Sequence, residues 1–267
     1  FTTWNYPAVI PMKKIAAILA SGCTCVAKCA EETPATTLEL VRAFVDAGLP
    51  DGAINLLYGE PARISEQLIA SPQIRGISFT GSTMVGRHLA ELTGRHLKRN
   101  VMELGGHAPV VILDDIVDVP KLARTSVMRK FRNGAQGCVN PSRFFVHDKI
   151  HDQFLEEFVK ATKALKVDDG FVPGTQMGPL AHGRRIGAMQ RCVDDAVERG
   201  AVVACGGARL QRQGYFWAPT VLTDVPYDAL VMNEEPFGPV VPINRFTDIE
   251  AVIAEANRLP VGLAAYA

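Results

Sequence analysis

The sequence predicts an α/β protein with two domains, each built on a mostly parallel sheet. Three observations lead to this prediction. Short apolar runs alternate with helical patterns along the whole chain, glycine and proline turns separate them, and the pair Gly105-Gly106 divides the alternation into two series. We therefore expect one domain over residues 1–104 and a second over residues 105–267.

The first domain is expected to contain four helices and three strands. Pro34 near the start and Gly48 beyond the end bound the second helix, and Ser82 is placed to cap the last one. The predicted helices are 8–19, 33–45, 61–69 and 82–92, and the predicted strands are 23–28, 54–58 and 76–79.

The second domain continues the alternation with longer helices. Active sites in such proteins lie in crevices at strand ends and between domains, and the glycine-marked turns of this chain are expected to fall there. The predicted strands are 108–113, 143–146, 201–204, 220–222 and 240–244, and the predicted helices are 121–131, 150–164, 184–199 and 249–257.

The composition is that of an ordinary globular protein. The 267 residues carry 28 basic and 28 acidic side chains, which gives a formal net charge of zero. No basic excess is available for nucleic acid or an anionic membrane, and the longest apolar runs are too short to span a bilayer. We expect a cytoplasmic protein whose partner is a small neutral or anionic molecule. The sequence begins at Phe1 and not at Met, and it ends without an obvious stop, so we expect the chain to be part of a longer protein.

The six cysteines predict neither a metal site nor a disulfide framework. Cys23, Cys25 and Cys29 lie close together, but a zinc site needs paired ligands at matched spacings. A chain of this length can bury a core without disulfides, so reduced thiols are expected. No metal is therefore assigned.

Cys138 and Glu103 are the pair that predicts covalent catalysis. Cys138 follows a glycine-containing segment, and Glu103 stands shortly before the glycine pair. A thiol can attack an aldehyde or ester carbon, and a separate carboxylate can later activate the water that releases the acyl group. A plain cysteine hydrolase is an alternative, but none of the six histidines stands in a recognisable Cys/His motif.

Two turns after predicted strands have the composition of a nucleotide site. Ser82 and the first amides of its helix would face an anion, although an ordinary serine cap has the same pattern. Lys28 and Glu31 could bind ribose hydroxyls or form a solvated pair, and an acid there opposes a 2′-phosphate. The sequence contains no Gly-x-Gly-x-x-Gly or P-loop motif.

Two further segments hold polar residues in constrained surroundings. Asn5 lies between two aromatic residues, where its amide could donate to an oxyanion together with the Cys138 amide, or serve only as a turn residue. The segment Asn233–Pro239 packs acids, an aromatic ring and turn residues into one loop. Its prolines stiffen this loop whether or not it binds a ligand.

Together these segments resemble the motifs of the aldehyde dehydrogenase superfamily, in the family's order and over almost the whole chain. The resemblance implies a Rossmann-like cofactor-binding domain over 1–104, incomplete at its N-terminus, and a catalytic α/β domain over 105–267, incomplete at its C-terminus. It also implies NAD as the cofactor, with NADP as the alternative, and a homo-oligomer for the full-length protein. The matching motifs are Trp4–Pro7, Lys28–Glu31, Phe79–Ser82, Glu103–Gly106, Gln136–Cys138 and Glu235–Val240.

The resemblance also implies a role for each matching residue. Cys138 would be the nucleophile, Glu103 the general base and Asn5 the oxyanion donor. Oxidation of the aldehyde bound to Cys138 would leave a thioester, which water activated by Glu103 would hydrolyse to the acid. The residues implied in cofactor binding are Trp4, Lys28, Glu31, Gly81, Ser82, Leu104, Glu235 and Phe237.

Several departures from the family pattern accompany these motifs. Where Asn-x-Gly-Gln-x-Cys is usual, Gly134 stands one place early and Ala135 follows it, so a turn that needs positive φ would be strained at Ala135. Thr3 and Cys29 stand at positions where proline is common. A catalytically impaired member or fragment that acts by binding or assembly is therefore the alternative to an active enzyme.

Within the superfamily, the resemblance is closest to the succinate-semialdehyde dehydrogenase branch. Residues 105–109, 131–133 and 254–265 carry it. A basic residue on the first helix commonly helps to bind the substrate carboxylate there, and Lys13 stands at the corresponding place, although a solvated helix lysine has the same pattern. The expected activity is oxidation of a semialdehyde, such as succinate semialdehyde, to its acid.

Overall fold

Parallel strand pairing organises both halves of the chain. The computed structural model describes residues 1–267, which divide into an N-terminal unit, Phe1–Gly105, and a C-terminal unit, Gly106–Ala267. Both units alternate strands with helices, and every strand pair but one is parallel. The predicted α/β class with mostly parallel sheets is confirmed.

The N-terminal unit contains four helices and four strands. Helices α2 (Pro34–Asp46) and α3 (Pro61–Ala70) each begin with proline, whose missing N–H would have no partner in a first turn. Ser82 caps α4 (Thr83–Arg95) by accepting a hydrogen bond from the Val85 amide at 3.4 Å. The other elements are α1 (Val9–Ala20), β1 (Cys25–Lys28), β2 (Ile54–Leu57), β3 (Gly76–Thr80) and β4 (Arg99–Glu103).

The strand β4 was not predicted from the sequence. Its residues are mostly polar, and all of them except Met102 are exposed. It pairs with β3 on one side, in a register that places Thr80 opposite Glu103. A strand that buries so little of its surface lacks the apolar alternation on which strand prediction depends.

The four strands of the N-terminal unit form two pairs and not one continuous sheet. The backbone of the first two residues links the pairs, because the Thr2 amide donates to the Lys28 carbonyl at 3.2 Å and the Thr80 amide donates to the Phe1 carbonyl at 3.2 Å. A cavity of about 530 Å³ is lined by residues of β1, β3 and α1. Its lining excludes Lys28 and Thr80, so this cavity lies beside the strands and not at their carboxyl ends.

The C-terminal unit is built on a five-stranded sheet in the order β5-β6-β9-β8-β7. The strands β5, β6, β9 and β8 are parallel to one another, and β7 alone runs antiparallel to β8 at the edge. The strands are β5 (Pro109–Ile112), β6 (Arg143–His147), β7 (Val202–Cys205), β8 (Thr220–Thr223) and β9 (Val240–Phe246). The helices are α5 (Val119–Lys130), α6 (Asp148–Lys163), α7 (Gly183–Glu198), the short α8 (Leu230–Asn233) and α9 (Ile249–Ala256).

Helices cover both faces of this sheet, so its central strands are buried on both sides. In β6, Phe145 packs into the hydrophobic cluster that includes α7, while Phe144 and Val146 pack into the cluster that includes α5 and α6. None of the helices of residues 1–267 has the length and apolar character required to cross a membrane.

Aromatic rings form the centre of the α5–α6 face. Phe158 is fully buried, and its ring centroid lies 5.6 Å from that of Phe144, 5.6 Å from that of Phe154 and 6.3 Å from that of Phe131. A ring in such a cluster contributes both area burial and ring–ring contacts.

We expect Phe158→Ala to lower the free energy of unfolding by about 3–5 kcal/mol, because it leaves a cavity that neighbouring rings cannot fill. Phe171→Ala is the matched control, since Phe171 is 99% exposed, and it should change the free energy by less than about 0.5 kcal/mol. Urea unfolding followed by circular dichroism measures both. Equal effects of the two substitutions would contradict the packing described here.

Candidate active site

The predicted site residues of the N-terminal unit lie at the carboxyl ends of its parallel strands. Lys28 ends β1, Thr80 ends β3 directly before Gly81 and Ser82, and Glu103 ends β4. The Gly81 amide donates to the Glu103 carbonyl at 3.0 Å. Since residues 1–2 bond to the ends of both β1 and β3, they also bring the following Trp4–Pro7 segment to this edge.

Asn5 is held in a defined orientation. Its side chain is 8% exposed, and its Oδ1 accepts a hydrogen bond from the Thr3 hydroxyl at 2.6 Å. With the amide oxygen engaged by Thr3, the amide nitrogen is the donor end of the side chain. Thr3, which departs from the family pattern, therefore orients the predicted oxyanion donor.

Lys28 and Glu31 form a close ion pair after β1. Lys28 Nζ lies 2.5 Å from Glu31 Oε1, and their side chains are 7% and 44% exposed. Partial burial opposes ionisation of Glu31, but the hydrogen bond from Lys28 and a weaker one from the Gly59 amide hold the pKa of this carboxyl below its usual value. Glu31 is therefore an ionised, partly exposed acceptor at the carboxyl end of a strand.

Glycine allows close packing around the start of α4. A Cβ atom on Gly81 would lie 2.3 Å from the Phe79 ring, and one on Gly86 would lie 2.2 Å from Leu104 Cδ2. Leu104 thus packs against the first turns of α4, directly after Glu103. The exposed Ser82 places the free amides of this helix end toward solvent, where an anion could bind.

Two lysines of α1 differ in their surroundings. Lys13 is exposed, whereas Lys14 is partly buried and donates to Ser78 Oγ at 2.8 Å. Burial lowers the pKa of Lys14, and the negative charge of Glu103 partly opposes this shift. The structure therefore associates Lys14 with the predicted general base, a relation that the sequence did not show. The substrate role of Lys13 stays a prediction.

In the C-terminal unit, the predicted site residues precede strands and do not follow them. Gly106 precedes β5, Cys138 precedes β6, and the loop with Glu235 and Phe237 precedes β9. Because β5, β6 and β9 are adjacent and parallel, their amino ends still lie at one edge of the sheet.

Cys138 lies half-buried on a tightly turned loop after α5. Asn133, Gly134 and Ala135 all have positive φ, with 57° at Ala135. Gln136 holds the loop through two side-chain bonds, from Nε2 to the Asn133 carbonyl at 3.0 Å and from the Ala181 amide to Oε1 at 2.9 Å. The strain expected at Ala135 is present, and a left-handed alanine costs about 1–2 kcal/mol.

Gly106 connects the Cys138 loop with the Glu235 loop. A Cβ atom on Gly106 would lie 3.2 Å from the Cys138 carbonyl oxygen and 2.9 Å from Leu263 Cβ, so a side chain there would displace the neighbouring backbone. The Gly106 amide also donates to the Glu235 carboxylate. Glu235, Gly106 and Cys138 therefore lie together within the C-terminal unit.

Glu235 is a half-buried acid that two cations attract. Burial raises its pKa to about 7, although the Gly106 amide, Arg185 of α7 and Lys130 of α5 all favour its charged form. Lys130 is 1% exposed and donates to Asn140 Oδ1 at 3.0 Å, and burial lowers its pKa to about 7 against the attraction of Glu235. The sequence did not identify Lys130, because a lysine at a helix end usually lies in solvent.

The loop that contains Glu235 is strained at Phe237. Phe237 has φ of 45°, a left-handed conformation that is uncommon for a bulky residue. Arg185 donates to the Pro236 carbonyl, and its guanidinium lies 6.0 Å from the centroid of the Phe237 ring. Arg185 is a second residue that sequence inspection missed, since only the folded chain brings α7 to this loop.

The remaining cysteines differ from Cys138 in position. Cys192 is buried in α7, where burial raises the pKa of its thiol to about 11, and burial also raises the pKa of Cys25 and of Cys205. Cys23 is exposed after α1. No three His, Cys, Asp or Glu side chains of residues 1–267 are grouped to hold a metal ion.

Known proteins match the chain from end to end. The model of the aldehyde dehydrogenase family matches residues 1–267. A putative 4-(hydroxymethyl)benzenesulfonate dehydrogenase, TsaD2 of Comamonas testosteroni, is 47% identical over 266 residues, which are 100% of this chain and 55% of that protein. The NADP(+) succinate-semialdehyde dehydrogenase GabD of Escherichia coli K12 is 41% identical over 265 residues, with 99% and 55% of the two chains covered.

A solved structure agrees with these matches. The crystal structure of succinate-semialdehyde dehydrogenase from Burkholderia pseudomallei superposes on this chain with a TM-score of 0.96 at 38% identity, covering 99% of this chain and 55% of that one. The chain belongs to the aldehyde dehydrogenase family, which confirms the resemblance found in the sequence motifs. It spans 55% of the length of the two curated relatives described here.

The buried carboxyl of Glu235 should make folding pH-dependent. The folded chain keeps a proton on Glu235 up to a pH of about 7, while the unfolded chain releases it near 4.5. The free energy of unfolding therefore falls as pH rises through this window, by at most roughly 3 kcal/mol from this group. Glu235→Gln should remove this contribution in urea unfolding at a series of pH values.

Glu234→Gln is the matched control, since Glu234 is the exposed neighbour and should leave the pH dependence unchanged. If Glu235→Gln and Glu234→Gln gave the same dependence between pH 4.5 and 7, the buried environment assigned to Glu235 would be wrong.

Proposed function

We propose that the full-length protein oxidises an aldehyde to its carboxylic acid through a covalent bond to Cys138. The observation that carries the proposal is the half-buried Cys138 thiol on a loop held by Gln136, in a chain that matches the aldehyde dehydrogenase family over its whole length. The other five cysteines are buried, are strand residues or lie exposed after α1, away from such a loop.

The N-terminal unit is proposed to bind NAD, as the prediction for residues 1–104 states. Its strand ends offer donors and acceptors that suit a dinucleotide. The exposed helix end at Ser82 suits phosphate, and the Lys28–Glu31 pair suits ribose hydroxyls. Trp4, Gly81 and Leu104 would form the surrounding surface. The C-terminal unit would contribute Glu235 and Phe237 on the nicotinamide side.

The chain's own residues would perform the covalent steps. The Cys138 thiolate adds to the aldehyde carbon, and the oxygen that becomes negative is held by the Asn5 amide and the Cys138 backbone amide. NAD, held by the residues named above, would supply the hydride acceptor for this oxidation. The thioester left on Cys138 is then hydrolysed by water that Glu103 deprotonates, which releases the acid and restores the thiol.

The substrate proposed is an aldehyde with an anionic group at its far end, of which succinate semialdehyde is the first example. Two of the relatives are named after compounds with an anionic group: succinate semialdehyde has a carboxylate, and 4-(hydroxymethyl)benzenesulfonate has a sulfonate. Lys13, exposed on α1, is the proposed cationic partner for that group.

A second candidate function is binding without turnover. The strained, left-handed Ala135 lies three residues before the proposed nucleophile, so a poorly presented thiol is the specific observation that favours it. Assembly as a homo-oligomer and a cytoplasmic location stay predictions for the full-length protein.

We expect Cys138→Ala to abolish NAD reduction by the full-length enzyme, because no other thiol can form the thioester. Cys23→Ala, which removes an exposed cysteine, is the matched control and should retain the rate. The assay follows NADH with succinate semialdehyde and with 4-formylbenzenesulfonate. Full activity in Cys138→Ala would disprove the mechanism, while NAD binding with no activity in the unaltered enzyme would establish the second candidate.

Glu31 should determine the choice between NAD and NADP. Its ionised carboxylate would repel a 2′-phosphate, so Glu31→Gln should raise the ratio of kcat/KM for NADP to that for NAD by about tenfold or more. Glu39→Gln, on the exposed Glu39–Arg42 pair of α2, is the control and should leave the ratio unchanged. An unaltered ratio in Glu31→Gln would remove Glu31 from the cofactor site.

A further inference from the structure

One side chain of α7 acts on three successive residues of the loop that leads into β9. We propose that Arg185 is a positioning residue that holds Glu235 and Phe237 in the arrangement that receives the nicotinamide end of the cofactor. This inference rests on the proposed function, which assigns Glu235 and Phe237 to the cofactor.

The contacts of Arg185 cover the loop from one side. Its Nη2 donates to the Pro236 carbonyl, and its guanidinium carbon lies 6.0 Å from the centroid of the Phe237 ring. Its positive charge favours the ionised form of Glu235. Arginine can make these three interactions at once because its guanidinium combines a fixed charge with a planar set of donors.

A second residue of α7 packs against the end of the same loop. Met189, one helical turn after Arg185, is fully buried, and a Cβ atom on Gly238 would lie 2.4 Å from its sulfur. Phe237 lies between these two contact points with a φ of 45°. A bulky residue keeps such a conformation only where neighbouring groups enforce it, and α7 supplies them.

Stability alone does not explain why the half-buried position of Arg185 holds an arginine. Its side chain is partly removed from water, and burial lowers its pKa even though Glu235 attracts it. Its buried Nε has no hydrogen-bond partner in the structure. A buried donor without a partner destabilises the fold, so an apolar side chain would serve packing better at this position. The contacts of Arg185 with the Glu235 loop explain why an arginine occupies this position.

The test compares Arg185→Met and Arg185→Lys in the full-length enzyme, with Arg191→Met as the control on an exposed position of the same helix. Arg185→Met should raise the KM for NAD by about tenfold, with the aldehyde KM within twofold of its original value. NAD should also begin to bind tightly only at a higher pH, because only Lys130 and the Gly106 amide would remain to favour the ionised form of Glu235.

Arg185→Lys should preserve that pH value but still raise the KM for NAD, since lysine keeps the charge and loses the planar donors. A KM for NAD within twofold of the original in Arg185→Met would overturn the inference. If Arg185→Met does not fold, an unchanged KM in Arg185→Lys overturns it equally. Glu235→Gln and Phe237→Ala distinguish failure of the inference about Arg185 from failure of the proposed cofactor site. If neither substitution weakens NAD binding, the proposed cofactor site itself is wrong.

Discussion

Parallel strand pairing is the constraint on which the candidate site depends. In the N-terminal unit it aligns the carboxyl ends of β3 and β4, which places Ser82 beside Glu103, and the backbone of Phe1 and Thr2 links this pair to Lys28 at the end of β1. In the C-terminal unit it aligns the amino ends of β5, β6 and β9, which gathers Gly106, Cys138 and the Glu235 loop. Residues more than 100 positions apart therefore become neighbours, although no local sequence pattern specifies the contact between them.

Burial of charge is the second feature that shapes the site. Lys130 is buried in the C-terminal unit, and Arg185 and Glu235 are half-buried there. Loss of water shifts the pKa of each group in the direction that favours its neutral form. Such groups destabilise a fold, and they cluster at functional sites where their charge is used. Lys130 and Arg185 both attract the Glu235 carboxylate, to which the Gly106 amide donates, and this is consistent with the proposed role of the Glu235 loop.

Local patterns predicted most of the elements, and the failures have physical causes. Helices bounded by Pro34, Pro61 and Ser82 were predicted correctly because proline and serine act within one turn of the helix start. The strand β4 was missed because its side chains are exposed and carry no apolar alternation. The strain at Ala135 was also predicted correctly, since positive φ penalises any residue with a Cβ atom regardless of its surroundings.

The sequence alone determined the α/β class, the approximate order of the elements and the motifs that identify the aldehyde dehydrogenase family. These properties depend on neighbours within a few residues, so they are visible along the chain. The tertiary structure alone decided that Thr3 orients Asn5, that Lys14 bonds to Ser78 of β3, and that α7 contacts the Glu235 loop. Distances and burial between distant segments set these relations, and no spacing in the sequence encodes them.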